Sequence, residues 1–271
     1  MSIESYIGSL AISGFQSEAK LTKKGGAKSE RKSGTRQLGV TEGETPAPPP
    51  SLPSNLKAAV NAGSILSFVD GVDERERSDV LFSTQFAQRA ADAAHDRFAE
   101  TRSWYRKLNE ILEIVGWTNE QYAFQAHEQK EGNLRMDQEA LGVITAIASG
   151  NQLATLTASI KALEKLAAKD KAITLFDHYA ATDLSGNFQI GAVQKGDKGA
   201  ISMAAGAFYF RSTGSRQKFL FFQWGAREVN FWTAAQKMTF NTAIYEKVRK
   251  TIEQRLGDEA MKVVSAIDIA I

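Results

Sequence analysis

Between Asn187 and Trp232 the chain reads NFQIGAVQKGDKGAISMAAGAFYFRSTGSRQKFLFFQWGAREVNFW, apolar β-rich runs broken by glycine-bearing turns in a sequence otherwise patterned as helices. Such a block satisfies its backbone by pairing with itself. It predicts strands over Phe188 to Val193, Ile201 to Arg211, Lys218 to Trp224 and Arg227 to Trp232, with turns at 196–199 and 214 separating the first three.

The rest of the chain predicts helices. Ser54 opens one that carries Leu56, Val60, Ile65 and Phe68 and ends at Gly71. From Asp73 to Val115 neither glycine nor proline occurs, and apolar residues recur every three or four positions. This is one long helix, or two with a break near Arg97 to Thr101. Tyr122 to Gln129 lacks a helical face and reads as an edge strand or irregular arm. Asp137 caps a helix over 138–148, and Asn151 caps another through Leu166. Ile173 to Phe176 reads as a short strand. Asn241 caps a helix through Leu256 that Gly257 terminates, and a short helix from Ala260 to Ile267 follows. Strands grouped together with helices on either side predict an α+β fold: an antiparallel sheet of about four to five strands enclosed by helices, after a long N-terminal helical hairpin.

All five prolines fall between Pro46 and Pro53, which divides the chain into an arm, 1–53, and a single globular domain, 54–271. The arm is rich in Ser, Gly, Lys and Pro and too poor in large apolar groups to offset the entropy of ordering, so it reads as disordered. Its amphipathic start, Ile3, Tyr6, Ile7 and Leu10, can turn helical when bound. Lys20 to Arg36 gathers seven basic residues against Glu30, the pattern of a solvated segment or an electrostatic contact. A net charge of +2 gives no reason to expect a specific nucleic acid.

The motifs of chemistry are missing from the sequence. Without cysteine there is no thiolate nucleophile, disulfide or thioester. His95, His127 and His178 have no companions at metal-ligand spacing, and the HE at 127–128 meets Glu131 where a zincin needs histidine. GAVQKGDKG at 191–199 places Asp197 where a phosphate loop needs lysine, and no GxSxG elbow occurs. No apolar run is long enough for a membrane helix, and Met1 to Phe15 does not have the build of a signal peptide.

The aromatic residues of the sheet block leave three readings open: a core packed under helices, a cavity for an acyl chain, or a membrane-contacting surface. Small residues Ala204, Ala205, Gly206 and Ala207 beside bulky ones allow either close packing or a void. The candidate lipid-binding residues are Ala192, Val193, Met203, Ala205, Phe208, Phe210, Phe222 and Trp224.

The segments ILEIVGW (111–117), MDQEALGVITAIASGNQLATL (136–156), GNFQIG (186–191), GAFYF (206–210), KFLFFQW (218–224) and YEKVRKTIEQRLG (245–257) resemble the Erwinia virulence factor family over about residues 104–267. The resemblance implies helices enclosing a sheet, a role in bacterial colonisation or harm of an insect host, and a fatty acyl group in an internal cavity. In that family the acyl chain is attached to a cysteine, which this chain lacks, so the expectation narrows to a noncovalently held fatty acid or no cofactor at all.

The expected function is therefore a nonenzymatic, toxin-like virulence effector acting at a host membrane. A self-assembling homo-oligomer and an enzyme whose site is not visible in sequence are the alternatives. The arm is the expected contact for delivery or packaging machinery. The protein is expected in the cytoplasm of the producing cell, with export by a route independent of a signal peptide.

Overall fold

The segment from 54 to 71, expected as a helix, is a β-hairpin. In this computed structural model, which describes residues 2–14, 55–129, 134–182, 184–212, 223–224, 229–257 and 260–269, β1 (Ala58–Asn61) turns into β2 (Ser64–Phe68) through Ala62 and Gly63. Ala62 takes a φ of 51°, the left-handed conformation a two-residue hairpin turn demands. Every residue of both strands is buried, so the period-2 alternation that distinguishes strand from helix is absent.

The remaining strands are β3 (Trp117–Gln129), β4 (Leu134–Arg135), β5 (Ser185–Lys195), β6 (Ile201–Ser212), β7 (Gln223–Trp224), β8 (Val229–Phe240) and β9 (Val264–Ile267). Seven form one sheet in the order β3-β8-β6-β5-β2-β1-β9, and β4 pairs with β7 separately. The sheet is larger than expected, and it is mixed, because β2 runs parallel to β5 while its other neighbours pair antiparallel. The expected edge strand at 122–129 is indeed an edge and begins earlier, at Trp117. β8 continues eight residues beyond the predicted end at Trp232, and the 218–222 part of a predicted strand lies outside the described residues.

Seven helices occur among the described residues: α1 (Ile3–Ser9), α2 (Glu74–Ala94), α3 (Thr101–Ile114), α4 (Met136–Thr145), α5 (Gly150–Lys165), α6 (Lys171–Ala180) and α7 (Thr242–Leu256). The break between α2 and α3 falls where the sequence placed it. Asp73 caps α2 in a reciprocal capping box with Glu76, and Asn241 and Gly257 bound α7 as predicted. The α5 cap is Ser149 rather than Asn151. Ile173 to Phe176 lies within α6, capped by Asp170, because its Leu175, Phe176 and Ala180 bury one helical stripe. The C-terminal stretch expected as a helix is a 3₁₀ turn over 260–263 followed by β9.

Helices cover both faces of the sheet. On one face α2, α3 and α7 bury Phe82, Phe86, Trp104, Ile111, Val248 and Ile252 against sheet residues such as Phe68, Met203 and Phe240. On the other, α4, α5 and α6 bury Ile144, Leu156, Ile160 and Phe176 against Ile65, Ile190 and Phe208. The arm departs from its expected disorder at residues 2–14; residues 15–53 lie outside the described ones. Ile7 of α1 is fully buried, and Arg255 of α7 donates hydrogen bonds to the carbonyls of Gly8 and Leu10. Ser13 and Arg89 of α2 exchange a backbone bond and a guanidinium bond of 3.1 and 2.7 Å. The partner that turns this amphipathic start helical is the protein's own helical layer.

Candidate functional site

The face beneath α4, α5 and α6 is an apolar surface spread over long strands. β5, β6 and β8 run 11, 12 and 12 residues and pair along nearly their whole lengths. Phe188 of β5 lies opposite Phe208 of β6 with ring centroids 5.0 Å apart, and Phe231 of β8 follows at 6.3 Å, successive ring planes lying within 19° of parallel. Phe176 of α6 meets Phe188 edge-on at 5.8 Å. These offset stacks add to the energy of burial.

The small residues serve this aromatic row. A Cβ built on Gly206 would stand 2.5 Å from the Phe208 ring and 3.0 Å from Cγ1 of Ile144, and one on Gly186 would lie 2.1 Å from the Phe210 ring. On the opposite face a Cβ on Gly191 would lie 3.0 Å from the Met203 sulfur. The space left by the missing side chains is occupied by neighbouring rings and a thioether, which is how protein interiors reach crystal-like density.

The two helical layers are attached differently. Asn61 of β1 donates to the Leu81 carbonyl and Thr84 Oγ1 at 2.9 Å and accepts from Gln85, while Gln88 accepts from the Gly63 amide. Tyr105 donates to Asn187 Oδ1 at 2.7 Å, and Trp117 donates to Ser83 at 3.0 Å. These bonds lock α2 and α3 to the sheet. The α4–α6 layer rests on apolar packing with a few polar ties: Ser67 of β2 to Ser159 at 2.8 Å, Gln152 to the Ala192 carbonyl at 2.9 Å, and Ser149 to Gln194.

The candidate lipid residues divide between the two faces, because side chains alternate along a strand. Ala192, Phe208 and Phe210 are buried toward α4–α6, whereas Val193 and Met203 are buried on the α2–α3 side and Ala205 lies partly exposed there. Phe222 lies outside the described residues, and Trp224 sits on β7 opposite Leu134. The residues the structure adds to the apolar face are Phe188, Phe231 and Ile144. The alternation in FQI at 188–190 carried a signal for the first, but the cross-strand register that sets it opposite Phe208, with Phe231 diagonally beyond and opposite Phe210, was not visible from spacing.

Charged clusters elsewhere have structural roles. Buried Asp79 of α2 and partly exposed Arg249 of α7 form a two-point ion pair at 2.7 and 2.8 Å. Burial holds the Asp79 carboxyl above its usual value despite this guanidinium, and burial followed by the Asp79 charge pushes the Tyr245 phenol well up. Asp92 binds Arg97 at two points and accepts from the Trp104 indole at 2.7 Å, and Arg97 lies 4.6 Å above that ring. Among the described residues no group of three His, Asp or Glu is placed to hold a metal, and no helix is long and apolar enough to cross a membrane.

No protein-family model matches this chain, and no curated protein does. Among solved structures it is similar to one described as the Evf virulence factor, at 12% identity over 75% of this chain and 85% of that one, with a TM-score of 0.34. It is also similar to a delta-endotoxin, at 13% identity over 77% of this chain and 96% of that one, with a TM-score of 0.36.

Proposed function

We propose that this chain is a toxin-like protein that acts at a membrane without chemical turnover. The observation that supports this reading is the apolar face itself: a row of phenylalanines on strands of 11 and 12 residues, beneath a helical layer attached mainly by apolar contact. A strand of roughly 9–11 residues spans the hydrocarbon core of a bilayer. Separation of α4–α6 from the sheet would present this face to lipid, which would replace the contacts the helices had made.

The test uses the absence of cysteine. Ser67 and Ser159 are buried with their hydroxyl oxygens 2.8 Å apart, so Ser67→Cys with Ser159→Cys places the only two thiols of the chain within reach of a disulfide between β2 and α5. Phosphatidylcholine vesicles loaded with carboxyfluorescein should release dye on addition of the native chain. The oxidised double variant should release little, and dithiothreitol should restore release. Equal release from oxidised and reduced forms would sink the opening step. No release by the native chain, with elution as a discrete large oligomer, would favour self-assembly instead.

A further inference from the structure

We propose that the opposite face of the sheet holds a binding site for a neutral carbohydrate, running from the Tyr209–Trp232 pair to the amides of Gln236 and Asn119. β6 is an interior strand, hydrogen-bonded to β5 and β8, and its α3-side face would be sealed if the helices covered it completely. They do not: Ala205 and Tyr209 of β6, Trp232 of β8 and Gln189 of β5 are all partly exposed on that face.

The register orders these groups. Tyr209 stands opposite Trp232, Ala207 opposite Ala234, and Ala205 opposite Gln236, so two partly exposed aromatic rings stand at one end of a row of small side chains, in which Ala207 and Ala234 are buried and Ala205 is partly exposed, and the buried Gln236 amide stands at the other. Four residues of strand separate Trp232 from Gln236, roughly 13 Å, which suits a short oligosaccharide. The Tyr209 and Trp232 rings lie 5.1 Å apart at 32°, and Tyr209 is held in place by its bond to the Phe98 carbonyl at 3.1 Å. Broad aromatic faces with polar edges suit a sugar ring, whose C–H face is apolar and whose rim is not.

At the other end Asn119 donates to Gln236 Oε1 at 3.4 Å, while its own Oδ1 is buried without a hydrogen-bond partner. A buried acceptor left unpaired is costly, and a hydroxyl group supplies the missing donor. Asn119 lies where the β3–β8 register shifts, the kind of irregularity that re-aims a side chain at a binding site. Gln189, opposite Ala207, has its Oε1 fixed by Ser64 at 3.2 Å. None of these five polar or aromatic groups is charged, which selects a neutral polyhydroxyl ligand over a phosphate or carboxylate.

The full-length chain with maltotriose and with triacetylchitotriose, observed by saturation-transfer difference NMR, provides the test. At least one trisaccharide should receive saturation on its ring protons, and Trp232→Ala should weaken its binding by about tenfold. Should that variant fail to fold, Asn119→Leu on the edge strand takes its place and must weaken binding likewise. Absence of transfer to both trisaccharides, or transfer unchanged by the variant, would overturn the assignment. Vesicle leakage reports on the other face of the sheet and is independent of this result.

Discussion

Gly206→Ala and Phe208→Ala, made singly and together, ask whether the sheet centre is packed or hollow. In the native chain an alanine methyl at 206 would lie 2.5 and 2.7 Å from two atoms of the Phe208 ring and 3.0 Å from Ile144, all inside contact distance. The ring is itself stacked between Phe188 and Phe231 and has little room to yield. Overpacking of this kind costs about 1–3 kcal/mol, and truncating a buried phenylalanine costs about 3–5 kcal/mol. With the ring gone, the nearest obstacle to the methyl is Ile144 Cγ1 alone. Gly206→Ala in the Phe208→Ala background should then be close to neutral, or slightly stabilising because alanine lowers the entropy of the unfolded chain by about 0.4–1 kcal/mol. The double variant should therefore be more stable than the sum of the single losses by about 1–3 kcal/mol. Urea denaturation followed by far-ultraviolet circular dichroism, with constant slope, measures each corner of the cycle. A neutral Gly206→Ala in the native background would mean that free volume exists above Gly206 and would restore the case for an acyl cavity there.

Asp79→Ala should cost about 1–3 kcal/mol in the same assay, since it removes both hydrogen bonds that the partly buried Arg249 guanidinium donates and leaves Glu246 at 3.5 Å as its carboxylate neighbour. Ile7→Ala should cost about 2–5 kcal/mol, because Ile7 is fully buried; a loss near zero would return α1 to the status of a loose terminus. Burial raises the Asp79 and Glu253 carboxyls above their usual values of 3.8 and 4.5, so the folded state binds more protons than the unfolded one between those values and the raised ones. Their contribution to stability should rise as pH falls through that window, and Glu253→Gln should shrink the rise in urea midpoints measured from neutral pH to pH 4.5. A larger rise in Glu253→Gln would refute the assignment.

Helices with caps and a clear stripe were legible in the sequence. Asp73, Asn241 and Gly257 marked true boundaries, and of the two readings the sequence left open for 73–115, one helix or two with a break near Arg97 to Thr101, the second holds. Strand against helix was legible only where burial was one-sided. The hairpin at 58–68 is buried on both faces, and the residues 173–176 lie in a helix too short to display its period against them. Of the candidate site, residue types were legible and location was not. The run of alanines with phenylalanines pointed to the sheet centre, but strand alternation sends Phe208 and Met203 to opposite sides, and only the β5–β6–β8 register shows which aromatics form one row.

The pairing of β1 with β9 joins Ala58 to Ile267 and Asn61 to Val264, and β1 in turn is held to β5 only through β2. Contacts so distant along the chain are slow to form, because a long loop must close before any of them repays its entropy. During synthesis, β1 has one flank unpaired until residues 264–267 leave the ribosome, so the nascent protein carries an open strand edge while everything between β1 and β9 is being made. That edge is where an incomplete chain would pair with a second copy. The four residues of β9 thus act as the protein's safeguard against aggregation, although they contribute little to its bulk.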